Sequence, residues 1–171
     1  MARNVELKAR VSDLATVEIR ARELADRGPY ELHQDDTFFA CASGRLKLRE
    51  LAPDHGELIF YRRPDVAGPK LSEYTIALTP TPAVMRDTLA SALGVIGRVR
   101  KRRRLYLAGA TRIHLDEVEG LGSFLELEVV LGDAAPVAEG EATARALLSR
   151  LGVGAAGLVA GAYLDLLQAR C

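Results

Sequence analysis

Apolar and polar residues alternate with a period of two over most of the chain, the signature of strands with one face in contact with a core. Such runs occupy 4–11, 31–41, 44–51, 57–63, 71–79, 96–108, 111–118 and 123–132. Helical spacing replaces them between 12 and 27, where Ser12 is the expected N-cap and Leu14, Val17 and Leu24 form an apolar stripe that Gly28-Pro29 ends. Thr81-Pro82 places a cap and a first-turn proline ahead of a second helix to about residue 93. Two Ala/Leu-rich stretches, 138–152 and 157–169, read as helices at the end of the chain. Turn residues fall between the strands at Ser43-Gly44, 64–69, Gly109-Ala110 and 120–123. The pattern predicts one α+β domain over 1–171, with about eight antiparallel strands curled or closed on themselves and the helices outside.

The polar parity of these strands is charged, one strand after another. Asn4, Glu6, Lys8 and Arg10 share a face opposite Val5, Leu7 and Ala9. Arg45, Lys47 and Arg49 oppose Leu46 and Leu48; Arg112, His114 and Asp116 oppose Ile113 and Leu115; Glu126 and Glu128 oppose Leu125, Leu127 and Val129. A single charged strand face usually meets water. Like charges two residues apart on one face gain nothing structurally, so their recurrence needs another reason. A curled sheet with its charged face inside makes a basin for a highly charged ligand. Rows of Arg and Lys suit phosphate oxygens, and paired carboxylates suit a hard divalent cation such as Mg2+. Together they point to a nucleotide or polyphosphate with its metal.

Composition sharpens this picture. The 171 residues carry 23 Lys+Arg and 23 Asp+Glu, for a net charge of zero, which argues against a broadly basic nucleic-acid or membrane binder. Counted on the charged parity, however, Lys8, Arg10, Arg45, Lys47, Arg49 and Arg112 face Glu6, Asp116, Glu126 and Glu128, while 98–104 is basic on both parities. The charge is segregated. No apolar stretch approaches the ~20 residues of a bilayer span, and the chain opens on charged residues, so a cytoplasmic protein with no membrane partner is expected. Cys41 and Cys171 cannot build a disulfide framework, and Cys41 reads as a buried small residue.

Three features admit more than one reading. Residues 152–157 spell G-x-G-x-x-G, but after a helix and too near the end for the acidic partner of a dinucleotide site; a break between helices explains them better. Residues 98–104 hold six basic side chains in seven, without the interleaved aromatics of a nucleic-acid platform. His114 reads as a hydrogen-bonded wall residue, with proton relay as the functional alternative.

Taken in register, these segments resemble the CYTH superfamily of class IV adenylyl cyclases and thiamine triphosphatases, the triphosphate tunnel metalloenzymes. Residues 4–8, Asn-Val-Glu-Leu-Lys, resemble its E-x-E-x-K first strand, with Asn4 in place of the first Glu. Residues 34–39, 44–49 and 58–64 with Lys70, Ser72 and Tyr74 resemble its next strands, and 101–106, 111–116, 120–122 and 124–128 its later ones. Residues 163–167 are similar to its C-terminal helix, and all four lysines of the chain (Lys8, Lys47, Lys70, Lys101) fall in matched segments.

The resemblance implies an eight-stranded antiparallel tunnel with a charged interior and helices packed outside. It implies Mg2+ or Mn2+ held by Glu6, Glu126 and Glu128. Phosphates would be gripped by Lys8, Lys47, Arg49, Arg63, Lys70, Lys101, Arg103 and Arg112. Lys8, Arg63, Asp116 and Glu128 would be the catalytic set, Asp116 either orienting a basic residue or joining the metal. Asn4 puts a two-metal arrangement in question. The activity implied is ATP cyclisation to cyclic AMP and pyrophosphate; the alternatives are hydrolysis of thiamine triphosphate, tripolyphosphate or a nucleoside triphosphate, or non-catalytic binding of such a ligand. The partner expected is that small molecule, with no nucleic acid; a homodimer is plausible.

Overall fold

The computed structural model describes residues 1–170. Cys171 lies outside them. Eight strands close into one antiparallel barrel: β1 (Ala2–Arg10), β2 (Arg27–Phe39), β3 (Arg45–Ala52), β4 (His55–Arg62), β5 (Lys70–Thr79), β6 (Val95–Ala108), β7 (Thr111–Val118) and β8 (Gly122–Leu131). Around the barrel they run β1-β5-β4-β3-β2-β6-β7-β8, and β8 returns to β1 through pairs from Arg3↔Leu131 to Arg10↔Phe124. Closure leaves no sheet edge unpaired. Four helices lie outside: α1 (Leu14–Leu24), α2 (Pro82–Leu93), α3 (Val137–Arg150) and the short α4 (Tyr163–Gln168).

The hydrophobic core is outside the barrel. Val5, Leu7, Ile113, Leu115, Leu125 and Leu127 project outward from β1, β7 and β8 against α1 and α3, and all are fully buried. α3 sits close to the sheet because its Gly140 has no Cβ; one there would stand 2.8 Å from Val5 Cγ2. Each of these large side chains contributes about 1.5–3 kcal/mol on burial, which offsets the cost of a polar interior. A second cluster (Phe38, Val99, Val118, Leu121, Phe124, Tyr163 and Leu164) plugs one end of the barrel with α4.

The structure corrects several expected boundaries. Asp13, not Ser12, caps α1: its Oδ1 accepts a hydrogen bond from Thr16 N at 3.1 Å. That helix stops at Leu24 because the following backbone is drawn onto β6, with Asp26 N donating to Leu107 O at 2.7 Å, and β2 starts at Arg27. The helix expected over 157–169 is confined to α4. Leu158 makes a β-bridge to Ala9 and Val159 N donates to Lys8 O at 2.8 Å, so β1 takes the backbone groups that a helix would need. Residues 152–157 form a linker with one 3-10 turn, Ala155–Gly157. Cys41 is exposed.

Candidate functional site

Alternation along a closed barrel gives every strand an inner face. The inner face encloses a cavity of about 380 Å³ that Ala162 and Tyr163 border at the α4 end. Among the described residues, seven cations line it: Lys8, Lys47, Arg49, Arg63, Lys101, Arg103 and Arg112. Four carboxylates, Glu6, Glu57, Glu126 and Glu128, share the wall with His114. The basic run on β6 divides as its parity requires: Lys101 and Arg103 are buried, whereas Arg98, Arg100, Arg102 and Arg104 lie outside, paired with Asp35, Glu31, Glu117 and Glu18.

Two buried carboxylates organise the cations. Asp36, 1% exposed, takes Lys47 Nζ at 2.8 Å, Arg49 Nε at 2.8 Å and Lys101 Nζ at 3.2 Å. Burial works to raise its pKa, but Arg49, Lys101 and Lys47 outweigh burial and hold it well below the usual carboxylate range. Asp116 is paired to Arg103 through both oxygens, at 2.7 and 2.6 Å, and accepts the Tyr163 hydroxyl at 2.8 Å. This bidentate grip fixes the direction of the Arg103 guanidinium. Tyr163 in turn lies 4.1 Å beneath the Lys8 ammonium.

Electrostatics inside the wall are strained toward positive charge. Burial lowers the Lys101 pKa to about 7, helped by Arg49, Arg103 and Lys47 and opposed by Asp36. Burial and then Arg103 push His114 down to about 4, so its imidazole is neutral at pH 7. Glu126 stays ionised because Lys8 (3.8 Å) and Arg103 (3.2 Å) overcome its burial. Glu6 is engaged by Arg63 at 3.0 Å, and Glu128 by Arg112 at 3.2 Å.

Not every residue of the expected set lines the cavity. Lys70 is 2% exposed and donates to the carbonyls of Val66, Val159 and Ala160. Burial, then Arg63, lower its pKa to about 8. It ties the segment before α4 across the barrel end. Arg10 lies against the Phe124 ring and reaches Leu121 O, and Arg45 pairs with Asp65 and Asp165. Asp36, Tyr163, Gln34, Glu57 and Tyr61 are site residues that the charge pattern alone missed. Asp36 and Gln34 share the inner face of β2, set by its register with β6.

The site can hold a divalent ion. His114, Glu126 and Glu128 each present a ligand atom within 4.8 Å of the others, and His114 Nδ1 is buried without a hydrogen-bond partner in the protein. Asn4 Oδ1 and Gln34 Oε1, on the same wall, are likewise unpartnered. Buried polar atoms without a protein partner are ones that a polar ligand, an ion or ordered water can satisfy.

A closed β-barrel with a cation-rich interior and a carboxylate-imidazole cluster is the architecture of a tunnel protein. The CYTH domain model matches residues 2–163, and the chain belongs to that family. It is 27% identical over 177 residues to adenylate cyclase CyaB of Aeromonas hydrophila, covering 96% of this chain and 88% of that one. The PH1012 protein of Pyrococcus horikoshii has the same fold, with a TM-score of 0.84 at 21% identity over 95% of this chain and 98% of that one. So does HpAC1 of Hippeastrum, described as having a dominant triphosphatase activity: TM-score 0.70, 14% identity, 99% and 96% covered.

Proposed function

We propose that the protein is a metal-dependent enzyme that takes an organic triphosphate into the tunnel, and that its reaction is conversion of ATP to cyclic AMP and pyrophosphate. The observation that carries this reading is the convergence of seven cations on one enclosed cavity beside the His114, Glu126 and Glu128 cluster. Leu32, Leu51, Leu105 and Ile76 line its less buried part, with Tyr74, and offer an apolar seat for a base that inorganic tripolyphosphate would not use.

In this reading Lys47, Arg49, Lys101 and Arg103 bind the phosphate chain, with Asp36 and Asp116 fixing their direction. Lys8 and Arg63 neutralise charge that builds on the departing pyrophosphate, and Arg112, the most exposed of the seven, meets the ligand first. Lys70 acts through the plug it secures. Glu126 and Glu128, with Glu6 on the adjoining strand beside them, would hold the metal, which when bound would supply positive charge against phosphate oxygens. The substrate's 3′-hydroxyl attacks the α-phosphorus in line with the bond to the bridging oxygen, its proton passes to solvent, and that bond breaks as pyrophosphate leaves. Such chemistry needs positioning and charge stabilisation more than a protein nucleophile.

The test is product identity after incubation with Mg2+ or Mn2+ and ATP, thiamine triphosphate or tripolyphosphate. Cyclic AMP with pyrophosphate is the expected result. Orthophosphate would replace it with the triphosphatase reading, the activity described for HpAC1. Tight binding without turnover would leave a ligand-binding module.

Lys101 gives this reading a pH signature. With a pKa of about 7 in the empty tunnel, its ammonium is lost as pH rises above neutrality, whereas a bound triphosphate favours the charged form. Metal-free ATP affinity should therefore fall about fivefold between pH 7 and 8 and roughly tenfold per pH unit beyond, with proton uptake on binding rising from about one half at pH 7 toward one. Calorimetry in buffers of different ionisation enthalpy measures that uptake. Lys101→Arg should abolish it; unaltered proton uptake in this variant would remove Lys101 from the role.

A further inference from the structure

His114 is 3% exposed, and its Nδ1 has no hydrogen-bond partner within the protein. The wall reading of this histidine requires a partner at that atom, because a buried polar atom left bare carries its full desolvation cost. The neighbouring atoms suggest what completes it. His114 pairs directly across the β7–β8 ladder with Glu126, and Glu128 lies two residues further along the same inner face. Both carboxylates spend Oε2 on cations: Lys8 and Arg103 at Glu126, Arg112 at Glu128. Glu128 Oε1 stands 3.9 Å from His114 Nδ1. That gap is too long for a hydrogen bond. It suits two atoms sharing an ion, since ligands about 2.1 Å from a first-row metal stand roughly 3–4 Å apart.

We propose that His114 is a metal ligand, joined with Glu126 and Glu128 in a mixed nitrogen-oxygen site that selects a first-row transition ion such as Mn2+ over Mg2+. Glu6, on the adjoining strand, is engaged through Oε1 by Arg63 at 3.0 Å. One imidazole among carboxylates favours borderline divalent ions, whereas Mg2+ prefers oxygen donors and its own waters. The inference rests on the metal-dependent reading above and deepens it by naming the third donor.

The experiment is electron spin-echo spectroscopy of Mn2+ added to the purified protein, with affinity followed by the loss of free-ion EPR signal. Bound Mn2+ should show 14N modulation from a directly coordinated imidazole, replaced by 15N modulation when histidine is 15N-labelled. His33 and His55 are exposed outside the cavity, so His114→Gln should remove the modulation. It should also weaken Mn2+ binding tenfold or more and reduce the advantage over competing Mg2+ by the same factor. The labelling arm needs no variant and decides the matter even if His114→Gln folds poorly. Mn2+ bound without nitrogen modulation, or bound equally by His114→Gln and lost in Glu6→Gln, would overturn the role of His114 and leave metal dependence intact. No Mn2+ bound at all would overturn both.

Discussion

Asp36→Asn should lower the unfolding temperature sharply, and added tripolyphosphate should restore more stability to the variant than to the parent protein. The carboxylate is 1% exposed and is shared by Lys47, Arg49 and Lys101 at 2.8, 2.8 and 3.2 Å. Asparagine keeps the shape and loses the charge, leaving three cations packed together with no acid between them. Removing one partner from a buried ionic group costs about 3–5 kcal/mol. For a domain of this size that is a fall of roughly 6–20 °C, each kcal/mol moving the midpoint by about 2–4 °C. An anion bound in the tunnel supplies the missing charge, and ligand that binds only the folded state stabilises it by mass action. Thermal melts with and without tripolyphosphate test both halves. An unchanged melting temperature, or equal stabilisation of both proteins by the anion, would show that Asp36 does not organise these cations.

Why the sequence exposed so much of the site and missed this residue follows from what parity encodes. In a strand, parity fixes the face and says nothing of depth along the barrel. Glu6, Lys8, Lys47, Arg49, His114, Glu126 and Glu128 all lie on the cavity wall that their alternation assigned, and Lys101 and Arg103, from a run basic on both faces, join them there. Arg10 and Arg45 share that parity but sit at the α4 end, where Phe124 and Asp165 engage them outside the cavity. Asp36 stands next to another acid, Asp35, and neither alternation nor charge says which of the two turns inward. The choice belongs to the β2–β6 register, in which Asp36 faces Val99 and its side chain reaches Lys101. Tyr163 was legible only as an apolar position on a terminal helix; its place under Lys8 depends on how 158–162 docks against β1. The Gly- and Ala-rich composition there reads as helix because it carries no strand period, while the pairing that holds it comes from residues 150 positions away.

The same division explains how a net-neutral chain builds a positive interior. Apolar side chains of β1, β7 and β8 stabilise the barrel from outside, which leaves the inner face free to carry charge. The structural wall count is seven cations against four carboxylates: Arg10 and Arg45 do not line the cavity, while Glu57 takes the place of Asp116 among the acids.

Glu126→Gln separates metal-dependent turnover from triphosphate binding. Glu126 lies where the two systems meet: Oε2 is 3.2 Å from Arg103 and 3.8 Å from Lys8, and the residue belongs to the cluster with His114 and Glu128. Glutamine retains an oxygen for Arg103 but carries no charge toward a metal. Turnover with Mg2+ or Mn2+ should fall by about 10³-fold or more, the scale of losing several kcal/mol of transition-state charge stabilisation. Metal-free affinity for ATP should hold or rise, because one negative charge has left a cavity already rich in cations. A general packing defect would lower both quantities, so their opposite movement identifies the loss as electrostatic. Rates by product assay and affinity by metal-free calorimetry supply the two numbers. Full turnover in Glu126→Gln would take the metal away from this carboxylate, and with it the reading of the cluster as the reaction centre.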